Sequence, residues 1–377
     1  MANVAKHLRK PIVAIFLSII LGFIIGAIVF AVSGFNPIEA YTSLITGTMG
    51  RPRFIAQVLI RSTPIILTGL SVAFAFKTGL FNIGAEGQYI IGAATAALVG
   101  YHLQFPPVIH FFVVIIVAMF FAGCWGGIAG FLKAKFGIHE VITTIMLNWI
   151  ALYLNNFIIN LPAVKKPNTE SSFEVLESSR SVILGAYKHS EEGRAALSNN
   201  DFLREVILRT DLNYGIIVAI FACILVRFIL NKTTTGFELR GVGENKDAAE
   251  FAGVNVKKNT FMAMFIAGAI AGLAGALQIV GTHPNRITVL AAHEGFGFDG
   301  ISVALIAASN PIGCIFSGLF FGILKYGALS IQSDIGAPSE TINIVIGTIV
   351  FFIAMSSVFI IIADKLEKKA DKKGGNK

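Results

Sequence analysis

Charge is what this sequence has least of. Of its 377 residues, Asp, Glu, Lys and Arg make up 14%, whereas 55% are apolar; a soluble domain carries about 25% charged residues. A water-soluble fold of this length has too little interior to hide that much apolar surface. A bilayer is the solvent such surface prefers. The apolar stretches run roughly 20 residues without period-two alternation, which selects helices over a barrel. Helices also satisfy their own backbone groups in lipid. Cysteine is scarce too. Cys124, Cys223 and Cys314 all fall in apolar segments, with no CxxC pair and no Cys/His metal spacing. That excludes a disulfide framework and leaves three small, buried apolar side chains. Enzyme signatures are missing: there is no P-loop, no HExxH and no GxSxG. The chain is not read as an enzyme, and any ATP hydrolysis linked to it belongs to another subunit.

What is present is a basic bias placed beside the apolar runs. The formal net charge is +8 and the mean hydropathy +0.74. In a soluble protein that charge would point to nucleic acid. Here it follows the positive-inside pattern of a membrane protein, and no nucleic-acid partner is expected. Lys6, Arg9 and Lys10 precede the uncharged run Pro11–Val32. That run exceeds the usual ~7–15-residue core of a signal peptide, so it reads as an uncleaved first span. Further spans are predicted at Ile55–Phe76, Gln88–Val99, Val108–Leu132, Ile138–Leu161, Leu212–Leu230, Asn259–Gly281, Asp299–Ser309, Pro311–Ile331 and Thr341–Ile362. The fold class is therefore all-α, a polytopic membrane protein of about ten helices. Gln88–Val99 and Asp299–Ser309 are too short to cross alone and follow Gly-rich turns, so they read as half-helices.

An even number of spans puts both termini on one side. The lysines at 365, 368, 369, 372, 373 and 377 make that side the cytoplasm. The chain is then one transmembrane domain, with an extracytoplasmic loop at 162–211 and a cytoplasmic loop at 232–258. The outer loop is too long to be structureless. A short helix is predicted near Asn200–Leu208, capped by Asn200 or Asp201.

Three stretches carry polar chemistry. Lys77-Thr78-Gly79-Leu80-Phe81-Asn82-Ile83-Gly84-Ala85-Glu86-Gly87-Gln88 joins two apolar segments. It reads either as a broken helix lining a path, with Asn82, Glu86 and Gln88 offering hydrogen bonds, or as an interfacial turn with Glu86 solvated or paired to Lys77. Gly295-Phe296-Gly297-Phe298-Asp299-Gly300 precedes the second short segment in a similar way. Paired Gly-interrupted segments point to a transporter's substrate route. The fifth span carries His139, Glu140, Asn148, Trp149, Asn155 and Asn156. Asn148 and Asn155 are seven apart and share a face, serving either the path or interhelical hydrogen bonds. Finally, Asn245-Lys246-Asp247-Ala248-Ala249-Glu250-Phe251-Ala252 reads as a short helix ended by Gly253. It is either a knob for a cytoplasmic partner or a solvated connector. His283, His293 and Glu294 form the single cluster an intramembrane enzyme could use, without a third ligand in evident reach.

Taken together, these segments resemble a known family. Gly79-Leu80-Phe81-Asn82-Ile83-Gly84-Ala85-Glu86-Gly87-Gln88 is similar to the early signature of ABC importer permeases of the ribose and branched-chain amino acid group. The run from Arg240 to Ala249 resembles that group's ATPase-coupling loop, with Ala248, Ala249 and Gly253 matching its core. Phe298-Asp299-Gly300-Ile301-Ser302-Val303-Ala304-Leu305, Asn310-Pro311-Ile312-Gly313 and Met146-Leu147-Asn148-Trp149-Ile150 resemble the nucleoside branch. The resemblance implies a type II importer fold in a bacterial cytoplasmic membrane. It also implies a second permease subunit of different sequence, ATPase subunits that hold ATP and Mg, and an extracellular substrate-binding lipoprotein. This chain itself is expected to bind no cofactor. On this reading Asn82, Glu86, Gln88, Asn148, Trp149, Asn155 and Asp299 belong to the substrate path. Glu244, Asn245, Lys246, Asp247, Ala248, Ala249, Glu250 and Gly253 belong to the ATPase contact. A simple-sugar permease and an ion-driven carrier are the alternatives; the carrier lacks an intramembrane acid relay beyond Glu86, Glu294 and Asp299.

Overall fold

The computed structural model describes residues 11–355 together with Val358 and Ile361. The basic cluster ahead of Pro11 and the C-terminal lysines lie outside the described residues, as does the predicted end of the last span at Ile362. The helices are α1 (Pro11–Val32), α2 (Pro37–Met49), α3 (Pro52–Lys77), α4 (Ala85–His102), α5 (Pro107–Phe136), α6 (Glu140–Ile159), α7 (Gly215–Lys232), α8 (Thr234–Glu244), α9 (Lys246–Phe251), α10 (Val256–Gly281), α11 (Phe296–Ile306), α12 (Pro311–Ile335) and α13 (Ser339–Ala354). Among the described residues six are long and apolar enough to cross a membrane, or seven if the bent α1–α2 pair is one span.

The chain divides into two compact units. One runs from Arg51 to Ile323, and the other joins the segment ending at Gly50 to the segment starting at Leu324. In the second unit α2 turns away from α1 by 119°. Asn36 caps α2 by accepting from the Ile38 N–H at 3.0 Å, and Pro37 fills the first helical position, where a missing N–H costs nothing. The Tyr41 hydroxyl donates to the Phe23 carbonyl at 2.7 Å, which pins the bend. Helix α2 was not anticipated from sequence, because 13 residues fall below the length of a span.

In the larger unit α3 and α10 form the enclosed centre. Of their apolar windows 89% and 83% are buried, whereas the outer helices α5, α6 and α7 bury 33–39%. Close approach rests on small residues: Gly92 of α4 meets Gly272 of α10 backbone to backbone, the packing that substitutes for hydrophobic drive inside lipid. The reading of Gln88–Val99 as a half-helix is corrected. Helix α4 has 18 residues, a rise of about 27 Å. Its first turn is polar, which hid it from an apolar-run reading, but Glu86 and Gln88 are fully buried against partners. Phe296–Ile306, at 11 residues, is a half-helix of about 16 Å, shifted three residues from the expected Asp299–Ser309. Cys223 and Cys314 are buried as expected, but Cys124 is exposed on the outward face of α5.

The long connector between α6 and α7 is folded. Asn200 caps a turn by accepting from the Phe202 and Leu203 N–H groups, as its sequence predicted. Helices at Gly185–His189 and Glu191–Ser198 precede that turn. The connector lies along the segment between α10 and α11. Ser172 N–H donates to the Ile287 carbonyl, Val175 N–H to Asn285 and Val289 N–H to Glu170, each at 2.9 Å.

Candidate functional site: a carboxylate-capped half-helix

After α3 the chain turns sharply at Gly79, which has φ +72°, and re-enters the bundle through Asn82. The Asn82 and Gln88 amides pair reciprocally. Asn82 Nδ2 donates to Gln88 Oε1 at 2.9 Å, and Gln88 Nε2 donates back to Asn82 Oδ1 at 3.1 Å. Asn82 Oδ1 also accepts from the Gly84 N–H at 3.0 Å, the local bond that favours Asn in such turns. From α6, Asn148 clamps the same stretch: its Oδ1 accepts from the Gly87 N–H at 2.8 Å and its Nδ2 donates to the Ile83 carbonyl at 3.1 Å. At the start of α6 Glu140 accepts from the Phe81 N–H at 3.4 Å and pairs with Lys133. The broken stretch therefore has its polar groups satisfied by side chains, as irregular backbone at membrane depth requires.

Glu86 is neither solvated nor paired with Lys77. Its carboxylate reaches the other Gly-rich segment, where Oε1 accepts from the Gly295 N–H at 2.8 Å and Oε2 from the Gly297 N–H at 2.6 Å. Helix α11 starts with Gly295 at φ +90° and has no side-chain cap of its own. An anionic acceptor at a helix N-terminus satisfies orphan N–H groups and opposes the positive end of the dipole. A Cβ at position 297 would collide with the Glu86 backbone, so the approach needs glycine. Thr68 of α3 adds a bond from its hydroxyl to the Phe296 carbonyl at 2.8 Å. The two Gly-rich segments that the sequence singled out are thus one joint, with a carboxylate between them.

The segment entering α11 is held from α6. Asn155 Nδ2 donates to the Thr288 carbonyl at 3.2 Å. Asn156 brackets Leu290, donating to its carbonyl and accepting from its N–H, both at 2.8 Å. Beside it a small cleft of about 140 Å³ is lined by Tyr89, Asn155, Gln278, Arg286, Thr288 and Glu294 among others, below the ~300–1,000 Å³ range of small-molecule sites. Of the residues assigned to a path by sequence, Asn155 alone lines this cleft. Asn82, Glu86, Gln88 and Asn148 form the hydrogen-bonded joint beneath it. Asp299 lies in the first turn of α11, and Trp149 is half exposed, edge-on to His293 at 4.6 Å. Asn156, Tyr89 and the Gly295 and Gly297 N–H groups were missed as site members. The available signal was a helix start with no capping side chain of its own. Among the described residues no group of three or more His, Cys, Asp or Glu side chains is placed to hold a metal ion.

The connector from α7 to α10 carries the second set of residues. Asn245 caps α9 by accepting from the Ala248 N–H at 3.0 Å, and Gly253 follows it at φ +86°. Glu244, Lys246, Asp247, Ala248 and Glu250 are exposed. Ala249 is buried within the chain, and Phe251 projects with 97% of its surface exposed. The expectation that Ala249 offers a surface to a partner is therefore corrected: its methyl faces inward. Gly243, at the end of α8, lies on the Gly79 turn, where a Cβ would sit 2.9 Å from Gly79 N. Helix α8 thus rests directly on the chain that leads to Asn82 and Glu86, and α9 packs on α8.

Residues 54–354 match the family of branched-chain amino acid transport system / permease components. The chain is 40% identical to the guanosine ABC transporter permease protein NupP of Bacillus subtilis, over 97% of this chain and 98% of that one. It is 34% identical to the nucleoside ABC transporter permease protein NupB of Lactococcus lactis over the full length of both. It is 28% identical to the glucose ABC transporter permease protein TsgB13 of Haloferax volcanii, over 91% of this chain and 87% of that one. Second permeases from the first two organisms, NupQ and NupC, are 28% and 26% identical over about seven-tenths of this chain. No solved structure matches. With four-fifths of the chain under the family model and full-length relatives above 30% identity, the chain belongs to the branched-chain amino acid transport system permease family of multi-pass membrane proteins.

Proposed function

We propose that this chain is the membrane-spanning permease subunit of an ABC importer that carries nucleosides inward. The observation that carries the reading is full-length similarity to two permeases whose names specify guanosine and nucleoside. The glucose permease is more distant. Each of the two nucleoside relatives shares its organism with a second, less similar permease of the same name class. That supports a partner permease of different sequence. ATPase subunits with ATP and Mg, and an extracellular substrate-binding lipoprotein, complete the assembly.

In this assembly both termini and the α7–α10 connector are cytoplasmic, and the 162–211 segment is extracytoplasmic. The capped helix α9, with Phe251 at its tip, is the ATPase contact. Its movement reaches the Glu86 joint through Gly243 and Gly79. The cleft beside Tyr89 and Asn155 lies on the outward side of that joint, and substrate passes where the joint yields. The test is substrate-stimulated ATP hydrolysis by the reconstituted complex across a panel of nucleosides and simple sugars. Stimulation by purine or pyrimidine nucleosides is expected. Stimulation by sugars alone would overturn the nucleoside reading, and transport without ATP would overturn the ABC assignment.

A further inference from the structure

Three cations meet in a cleft at the ends of three membrane-crossing helices without an anion to match them. Lys77 is the last residue of α3, Arg227 lies five residues before the end of α7, and Arg240 stands on α8. With them the cleft is lined by Leu230, Glu244 and Pro311, the first residue of α12. It holds about 580 Å³. Among the described residues none of the three cations takes part in an ion pair, although nine such pairs occur elsewhere. The Arg240 Nε is enclosed and has no acceptor among the described residues. An enclosed donor without a partner is unfavourable, and a turn of the Arg240 guanidinium into the cleft it lines would bring it to an acceptor there. Three cations against Glu244 leave the lining net positive, which selects an anion. Two guanidinium groups select one with several oxygens, because their forked donors match a phosphate.

The position says where that phosphate comes from. Arg227 lies about 7.5 Å from the end of α7, the depth at which basic side chains reach lipid headgroups. On the same helix Ile224, Leu225 and Phe228 are exposed, an apolar surface for acyl chains. Leu230 and Phe76 continue it into the cleft. We infer that the cleft seats the phosphate of an anionic phospholipid, with Arg227, Arg240 and Lys77 as its ligands. Gly243 also lines it, so the bound headgroup braces the contact between α8 and the Gly79 turn.

The experiment is native mass spectrometry of the whole transporter complex in detergent, titrated with phosphatidylglycerol or phosphatidylcholine. The complex is the one proposed above, but the readout needs neither a substrate assignment nor a membrane orientation, and the permease recovered alone gives the same lipid comparison, so failure here is distinguishable from failure of the proposed function. Wild type is expected to retain phosphatidylglycerol in preference. Arg227→Gln, Arg240→Gln and Lys77→Gln are each expected to weaken retention about fivefold, equivalent to about 1 kcal/mol per charge. Lys77→Arg, which keeps the charge, is expected to retain the lipid. The single variants keep the test readable if the triple variant does not assemble. Equal retention of both lipids by wild type, or unchanged retention in all three Gln variants, overturns the proposal. Displacement of phosphatidylglycerol by inorganic phosphate at equal concentration overturns the lipid source in favour of a soluble phosphate ligand. Retention by the permease alone but not by the complex makes the cleft a seat for a partner subunit and likewise overturns it.

Discussion

Replacing Glu86 by alanine removes both acceptors at the start of α11 at once. The Gly295 and Gly297 N–H groups, at 2.8 and 2.6 Å from the carboxylate, lose their partner in a place where Glu86 itself has no solvent exposure. Each orphaned donor costs about 1–3 kcal/mol. A lost helix cap alone is worth about 0.5–2 kcal/mol. Even the low end, about 2 kcal/mol for the pair, shifts the population of correctly seated α11 about thirtyfold. Uptake should therefore fall at least tenfold while the permease still inserts and assembles. Glu86→Gln keeps one carbonyl acceptor but turns an amide donor towards the second N–H, so its loss should lie between wild type and alanine. Glu86→Asp keeps the charge but is one methylene short of Gly297, and should also be impaired. The assay is uptake of labelled nucleoside into cells, normalised to permease recovered in the membrane with its partner subunits. If the alanine variant is normally expressed and transports as wild type, the carboxylate joint does not hold the transport-competent arrangement.

Four shorter predictions follow from other contacts. Gly243→Val should lower substrate-stimulated ATP hydrolysis without loss of ATPase association, because its side chain meets Lys77 O and Gly79 N; wild-type stimulation would disprove the Gly243–Gly79 route. Phe251→Ala, at a 97% exposed side chain, should weaken co-purification of the ATPase at least fivefold without reducing permease yield, whereas Ala249→Trp should reduce the yield itself, since Ala249 is buried. Gly253→Leu should cost roughly 1–2 kcal/mol through its left-handed backbone, read as a lowered thermal midpoint of the complex. For topology, Ser172 is buried, so the exposed Glu192 is the reporter: a cysteine there should react with an outside-only reagent and one at Asn245 should not, and the reverse result refutes the orientation.

The parts of this molecule legible in its sequence are those with a local cause. The long apolar runs, the Asn200 and Asn245 caps and the Gly253 stop follow from neighbours a few residues away. The Asn82 turn was visible as Gly and polar residues at a break, and Asn148 as an amide in an apolar span. What was illegible is long-range pairing. Nothing near Glu86 says that its carboxylate belongs to Gly295 and Gly297, 209 and 211 residues later. Hydropathy also shortened α4, because it treats a buried, fully bonded Glu86 or Gln88 as an outsider to the bundle. The same blindness hid α2, whose Asn36-Pro37 start was readable but whose length was not that of a span. Ala249 was misassigned for a further reason: a small residue on a six-residue helix permits close approach on either side, and sequence does not say which side is the chain's own.

Coupling over this distance needs elements that move together rather than bend. The route from α9 to α11 has that character at each step. Gly243 and Gly79 touch backbone to backbone, so a shift of α8 has no side chain in which to dissipate. The Asn82–Gln88 amide pair locks the turn to the first part of α4, and Asn148 locks both ends of the Ile83–Gly87 stretch to α6. The last link, Glu86 to the Gly295 and Gly297 N–H groups, differs in kind. It is a pair of charge-assisted hydrogen bonds, where the other links are backbone packing or neutral amide bonds. On the proposed coupling route, a displacement arriving from α8 would be resolved at Glu86, either carrying α11 along or releasing its N-terminus beside the Tyr89 cleft. That difference separates the two variants at this joint. Glu86→Ala shifts α11 towards the released state and should raise basal ATP hydrolysis relative to stimulated hydrolysis. Gly243→Val acts before the joint and should depress the stimulated rate alone. Identical profiles for the two would mean that the joint and the α8 contact are not in series.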